Sequence, residues 1–240
     1  MRVLGSVAEL WRYPVKSMMG ELCQKMVVSY AGANGDRCFA FTRHDSRLGT
    51  SWLTARTLSS LILYRPCFTA SDLLETECSE FYALQVTNPE GHIYSVHAPE
   101  LLSELEAIAG HKLRLKFSER GMHDARPLSL ISNNTTSQIE LSLGGKIDKR
   151  RFRANLYVQW NDSMSENDLL GTKIRIGNKL ELYISKKDTR CLIVDINPGT
   201  GIKDPGVLRT IATEYENCAG VYCVVLREGT VQPGDTIVAL

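Results

Sequence analysis

Apolar positions come in short bursts rather than long stripes. Val3 to Trp11 is apolar-rich, and Tyr13-Pro14 breaks the run. Gln24 to Val28 reads as a strand ending where Gly32 and Asn34-Gly35 signal a turn, and Cys38 to Phe41 resumes a strand. Phe81 to Thr87 and Ile93 to Val96 flank Asn88-Pro89-Glu90-Gly91, which predicts a hairpin. Further on, Asn155 to Trp160 alternates. Leu180, Leu182 and Ile184 share one face of a period-two segment, with Glu181 and Tyr183 opposite. Leu192-Ile193-Val194 is a short apolar run. Val221 to Leu226 is expected to pair with Val231 to Leu240, where Gln232-Pro233-Gly234-Asp235 carries a turn.

A helical period shows in few places. Pro99 opens one segment, Leu101, Leu102, Leu105 and Ile108 form its apolar stripe, and Gly110 closes it. A second begins with Asp204 as N-cap and Pro205 at N1, with Leu208, Ile211, Ala212 and Tyr215 directed at the core. A third covers Thr135 to Leu141. Many short strands with turn signals and few helices predict a mainly β fold with some α, of barrel or sandwich type. The polar stretch Ser118 to Arg126, with Gly121 and Pro127, marks a boundary between two domains, 1–118 and 119–240.

The chain carries 28 Lys+Arg against 27 Asp+Glu, a net charge of +1. A bulk electrostatic grip on nucleic acid or an anionic membrane is excluded, so any basic site is local. No run of 18 apolar residues is present, and Glu9 and Arg12 interrupt the N-terminal apolar stretch. Neither a membrane anchor nor a secretory signal is expected. The cysteines number 7, an odd count, with no C-x-x-C, and no histidine pair has metal-ligand spacing. A structural metal built from this chain alone is therefore not expected. Free thiols point to a reducing, cytoplasmic setting.

Four segments concentrate polar groups in apolar surroundings. Tyr13-Pro14-Val15-Lys16-Ser17 follows a strand and offers a cation and a hydroxyl to an anion, or is a surface turn with a solvated lysine. In Asn34-Gly35-Asp36-Arg37 the guanidinium can grip a phosphate bidentately, pair with Asp36 or sit in solvent. In Lys149-Arg150-Arg151-Phe152-Arg153-Ala154-Asn155 the flanks of Phe152 imply that Arg151 and Arg153 share one side. They then line a cleft or face water, and anion binding and plain surface charge both stay open. Thr189-Arg190-Cys191 sets a guanidinium beside a thiol, which favours the thiolate, the nucleophile and soft-metal ligand; a buried strand cysteine beside an exposed arginine is the other option.

Taken in order, these segments resemble the MOSC family, the C-terminal domain of molybdenum-cofactor sulfurases. The similarity is to the branch with an added N-terminal β-barrel, which includes the mitochondrial amidoxime-reducing component and its bacterial relatives. The likeness spans the chain: Tyr-Pro-Val-Lys-Ser at 13–17, Gly-Asp-Arg at 35–37, Trp52-Leu53-Thr54-Ala55-Arg56, Arg-Phe-Arg-x-Asn at 151–155, Thr-Arg-Cys at 189–191, Pro198-x-Thr200-Gly201 and Pro233-Gly234-Asp235. Ala154 stands where the family has proline, Thr189 replaces a common serine, and Ser165-Glu166-Asn167-Asp168 lacks a neighbouring tryptophan.

The resemblance implies an N-terminal β-barrel domain over 1–118 and a β-barrel MOSC domain over 119–240. It implies a molybdenum cofactor (Mo-molybdopterin), with Cys191 as molybdenum ligand and catalytic thiol. Lys16, Ser17, Arg37, Arg153 and Asn155 would hold the phosphate and pterin edge, and Thr189 and Arg190, beside the thiol, would also bind the cofactor. The implied reaction is reduction of small N-hydroxylated or N-oxygenated compounds by two electrons. Two other roles stay open: a sulfur carrier with a persulfide on Cys191, and a non-catalytic cofactor carrier. No nicotinamide fingerprint or iron–sulfur cysteine set is present, so electrons are expected from a separate redox protein.

Overall fold

The computed structural model describes residues 2–45, 51–69, 83–161 and 164–240. In chain order the N-terminal half forms β1 (Val3–Arg12), β2 (Glu21–Cys23), β3 (Met26–Ser29), β4 (Gly32–Ala33), β5 (Phe39–Arg43), β6 (Arg65–Phe68), β7 (Leu84–Thr87), β8 (Ile93–Ser95), α1 (Pro99–Ala109) and β9 (Leu113–Phe117). The C-terminal half forms β10 (Leu128–Ser132), α2 (Asn133–Leu143), β11 (Leu156–Trp160), β12 (Lys173–Ile176), β13 (Leu180–Thr189), α3 (Gly206–Glu214), β14 (Cys218–Arg227), β15 (Gly229–Val231) and β16 (Thr236–Ala239).

The fold is mainly β with three helices among the described residues, an N-terminal barrel domain followed by a closed seven-stranded barrel. The closed barrel runs β11-β10-β14-β13-β12-β16-β1, and β1 pairs back onto β11. Closure leaves no free edge. Its filling comes from one face of each strand, including Leu10, Leu130, Val158, Leu182, Ile184 and Ile237, all fully buried. Among the described strands of the barrel, β10 and β11 pair in parallel, and α2 makes the crossover between them. The barrel's seventh strand comes from the start of the chain, so the polar stretch at 118–126 does not separate two independent sheets. Gly5 lies where β1 meets β11, and a Cβ there would stand 2.1 Å from Gln159 O. Only glycine permits that approach.

A second core, with Val15, Phe39, Leu61, Val86, Leu101 and Leu105, fills the N-terminal half. There β5 pairs with β9, β7 pairs with β6 on one side and β8 on the other, and β3 pairs with β4. From the C-terminal half, β15 reaches across to pair with β3.

The hairpin around Asn88–Gly91 forms between Leu84–Thr87 and Ile93–Ser95, while Phe81 and Tyr82 lie outside the described residues. The expected pairing of Val221–Leu226 with Val231–Leu240 does not occur. Instead β14 sits between β10 and β13, and β16 between β12 and β1. Barrel closure, not adjacency in sequence, chose those partners. The Pro-Gly turn is present and latches onto β1, with Val7 N–H bonded to Asp235 O at 2.9 Å and Gly234 N–H to Val7 O at 2.8 Å. Leu192–Asp195 forms a 3-10 turn rather than a strand. In α1, Leu101 and Leu105 are buried but Ile108 faces water. In α3, Pro205 is the N-cap, Asp204 Oδ1 accepts from Gly206 N–H, and the buried residues are Val207 and Ile211, with Ala212 exposed. Among the described residues no helix is long and apolar enough to cross a membrane.

Candidate functional site

A cleft of about 500 Å³ opens where the two halves meet. The loop after β1 brings Lys16 and Ser17, the turn before β5 brings Arg37, and the 3-10 turn before β11 brings Arg153. The end of β13 brings Thr189, Arg190 and Cys191. The lining holds Lys16, Arg37, Arg56, Arg126, Arg153, Lys186, Lys187 and Arg190 against only Asp124 and Asp188. In a chain of net charge +1, that places a strong local excess of positive charge in one concavity.

On the inner wall Lys16 is buried, and its Nζ donates to Met122 O at 2.8 Å and pairs with Asp124 Oδ1 at 2.7 Å. Burial lowers the Lys16 pKa, with Asp124 opposing. Arg37 pairs with Asp36 and donates Nη2 to Arg153 O at 3.0 Å. Arg153 donates Nη1 to Met18 O at 2.6 Å, while its buried Nη2 has no partner. Both guanidiniums stack on Tyr13, at 4.9 and 4.4 Å from the ring centroid. Burial, with Arg37 adding repulsion, pushes Arg153 down to about 10, so it remains a cation at neutral pH. Burial pushes the Tyr13 phenol up to about 12. Ser17, Arg37 and Arg153 all have positive φ, at 69°, 52° and 51°. Non-glycine residues rarely adopt that region, and such strain gathers where backbone is forced into a binding geometry.

The opposite wall is the end of β13. Its pairing with β14 is irregular between Ile184 and Lys186 and again between Lys187 and Thr189. Such bulges twist a strand out of simple alternation, so six consecutive residues, 186–191, reach the cleft. Cys191 is exposed there and starts the 3-10 turn Leu192–Asp195. Thr189 Oγ1 lies 3.8 Å from Cys218 Sγ. The Arg190 guanidinium is turned into the framework: Nε donates to Ala219 O at 2.7 Å, Nη1 to Phe152 O at 2.7 Å, and Nη2 pairs with Asp188 Oδ2 at 2.8 Å.

Two sequence-based expectations change here. Arg151 and Arg153 do not share a side, because a 3-10 turn rather than a strand carries them. Arg151 is buried and bonds to carbonyls at the far end of the Cys191 turn. Asn155 does not line the cleft; it stands behind it, with Oδ1 accepting from Ser129 N–H and Oγ, and Nδ2 donating to Trp11 O. Of the other thiols, burial pushes Cys23 up to about 11 and Cys223 up to about 12. Cys78 lies outside the described residues.

Residues not singled out beforehand also line the cleft: His123, Asp124, Arg126, Lys186 and Tyr222. The first three sit in the polar stretch read as a boundary, and a segment passing between two cores lies naturally over the gap they leave. Lys186 is legible as the point where the apolar alternation of β13 stops. Burial, with the Arg37 and Lys16 cations, drives His123 down to about 4 against the pull of Asp36, so the imidazole is neutral at pH 7. Among the described residues no group of three or more His, Cys, Asp or Glu could hold a metal. Clustered cations, an orphaned guanidinium nitrogen and one exposed thiol suit a phosphate-bearing anion that also carries a thiophilic metal.

A family described as "MOSC domain" matches residues 118–238, and one described as "MOSC N-terminal beta barrel domain" matches residues 4–125. The YUAD protein from Bacillus subtilis is 17% identical with a TM-score of 0.51, covering 99% of this chain and 96% of that one. YiiM from Geobacillus stearothermophilus is 19% identical with a TM-score of 0.38, covering 48% of this chain and 54% of its own. No curated protein matches the chain.

Proposed function

The chain belongs to the MOSC family, whose members generally bind molybdenum cofactor, and from that premise we propose that it is a molybdenum-cofactor-dependent reductase of small N-hydroxylated or N-oxygenated compounds. The observation that carries this is the convergence of Lys16, Arg37 and Arg153, with its orphaned Nη2, on the cleft that also exposes Cys191. Lys16, Ser17, Arg37 and Arg153 would hold the cofactor's phosphate, and Thr189 and Cys191 its metal side, with the Cys191 thiolate as the protein ligand. The bound cofactor would supply the two-electron redox chemistry.

The chain's own residues supply the rest. Tyr13 seats the two stacked guanidiniums. Asn155 and Arg190 hold the backbone behind the cleft in place through Ser129, Trp11, Phe152 and Ala219. His123 stays neutral, so it adds no charge beside the clamp. Converting N–OH to N–H and water consumes two electrons and two protons. Tyr222, whose hydroxyl is raised by burial and by Asp188, keeps its proton at Oη on the cleft wall. A separate redox protein would deliver the electrons, and a cytoplasmic setting goes with the free thiols.

The test is metal and pterin analysis of chain expressed in a host that makes molybdopterin, combined with turnover. Bound molybdenum with reduction of an amidoxime by reduced viologen, inertness with NADH alone, and loss of turnover in Cys191→Ala is the expected result. Molybdenum without turnover would favour a carrier, and a persulfide without molybdenum a sulfur-transfer protein. Full activity in Cys191→Ala would sink the assignment of the thiol.

A further inference from the structure

Two buried arginines are exchanged between the segment leading into Arg153 and the segment carrying Cys191. Arg151, 4% exposed, donates Nη1 to Val194 O at 3.1 Å and Asp195 O at 2.8 Å. Those carbonyls close the 3-10 turn that starts at Cys191, whose own carbonyl accepts from Val194 N–H at 3.1 Å. In the opposite direction Arg190 donates Nη1 to Phe152 O at 2.7 Å. Arg153 directly follows Phe152, and Cys191 directly follows Arg190. Each arginine therefore ties one segment beside the group that the other segment presents to the cleft.

Burying a guanidinium against main-chain carbonyls is costly unless the fold gains a fixed geometry from it. Burial lowers the Arg151 pKa, with Asp204, Asp148 and Asp195 opposing it. Arg151 does not line the cleft, so an anion bound there does not repay it. We infer that Arg151 is a positioning residue for Cys191, one half of a reciprocal clamp with Arg190 that sets where the thiol stands relative to Arg153. Its purpose rests on Cys191 being the working thiol, but its geometry does not depend on any metal.

The test uses the full chain prepared without cofactor, in a Cys67→Ser, Cys78→Ser, Cys218→Ser background, with a nitroxide on Cys191. Spectra are taken well below each variant's melting temperature. The parent should show an immobilised label. Arg151→Met should shorten its rotational correlation time by about threefold or more, a change on the timescale of loop motion. Arg151→Lys, which keeps a donor for one carbonyl, should fall between. Arg227→Met, at an exposed arginine, should match the parent. A label as immobile in Arg151→Met as in the parent, even with a lowered melting temperature, would overturn the clamp and leave Arg151 a stabilising residue only. Mobility raised equally by Arg227→Met would overturn it too. If Arg151→Met does not fold, Arg151→Lys carries the test: raised mobility supports the clamp and parental mobility refutes it. Because no cofactor is present, a chain that never binds molybdenum leaves this result readable, and a failed clamp leaves the metal analysis untouched.

Discussion

Arg153 combines three properties that rarely meet in one residue: left-handed backbone, near-complete burial and a guanidinium nitrogen without a partner. Each is unfavourable by itself, and a phosphate received at Nη2 would offset the last of them. Arg153→Ala should therefore weaken retention of the cofactor by roughly 1.5–3 kcal/mol, or about 10- to 150-fold in affinity. Arg153→Gly separates the two effects, because glycine accepts positive φ without strain. It should lose cofactor as badly as the alanine variant while folding at least as well. Molybdopterin per chain after gel filtration, beside a melting curve, reads both. Unchanged content in both variants would remove Arg153 from the site. This signal is invisible in the sequence, where Arg153 is one of four basic residues in a row of five positions.

At the scale of elements, the paired ends of β13 and β14 shape the wall that carries Cys191. Gly220 in β14 has φ +82°, and a Cβ there would stand 2.7 Å from Leu130 O and 3.2 Å from Arg190 Nη2. Gly144, the C-cap of α2, has φ +68° and nothing within 4 Å. Alanine at either position meets the same backbone penalty, about 1 kcal/mol, and only at Gly220 must the neighbours also move. Gly220→Ala should therefore lower the melting temperature by at least about twice as much as Gly144→Ala, the latter losing roughly 2–4 °C. Equal losses would mean that the close approach of β14 to β10 and Arg190 contributes nothing. The alternation of Leu180, Leu182 and Ile184 identifies the barrel half of β13 from sequence alone. The cleft half, with its two bulges, has no such signature, because bulges answer to the partner strand.

For the whole molecule, the cleft's electrostatics reach folding stability through His123. Free imidazole titrates near 6.5, and burial beside Arg37 and Lys16 takes His123 to about 4. Between those values the unfolded chain binds more protons than the folded one. Stability is therefore full above about pH 6.5 and falls as pH drops toward 4, with about 2 kcal/mol gone by pH 5. His123→Gln should lose much less stability between pH 7.5 and pH 5 than the parent, as denaturant melts would show. Identical losses would mean that His123 is not held neutral. The same fold that buries His123 joins the two halves: β1 completes the C-terminal barrel and β15 crosses to β3. Neither half closes its own hydrogen bonds without the other.

Periodicity and turn chemistry, which act within a few residues, determined much of this protein from sequence alone. They mark the mainly β class, α1 with its Pro99 start and Gly110 stop, the Asn88–Gly91 hairpin and the buried face of β13. The family resemblance carried by the ordered motifs grouped Lys16, Ser17, Arg37, Arg153, Asn155, Thr189, Arg190 and Cys191, and of these all but Asn155 line one cleft. Tertiary structure alone decided which strands are neighbours, because barrel closure set β14 between β10 and β13 and brought β1 to β11 across the length of the chain. It also decided what each arginine does. Arg37, Arg153 and Arg190 line the cleft and each also donates to a main-chain carbonyl, while Arg151 lies outside the lining and bonds to the carbonyls of Val194 and Asp195, since a guanidinium's partner depends on which acceptors the folded backbone leaves within reach.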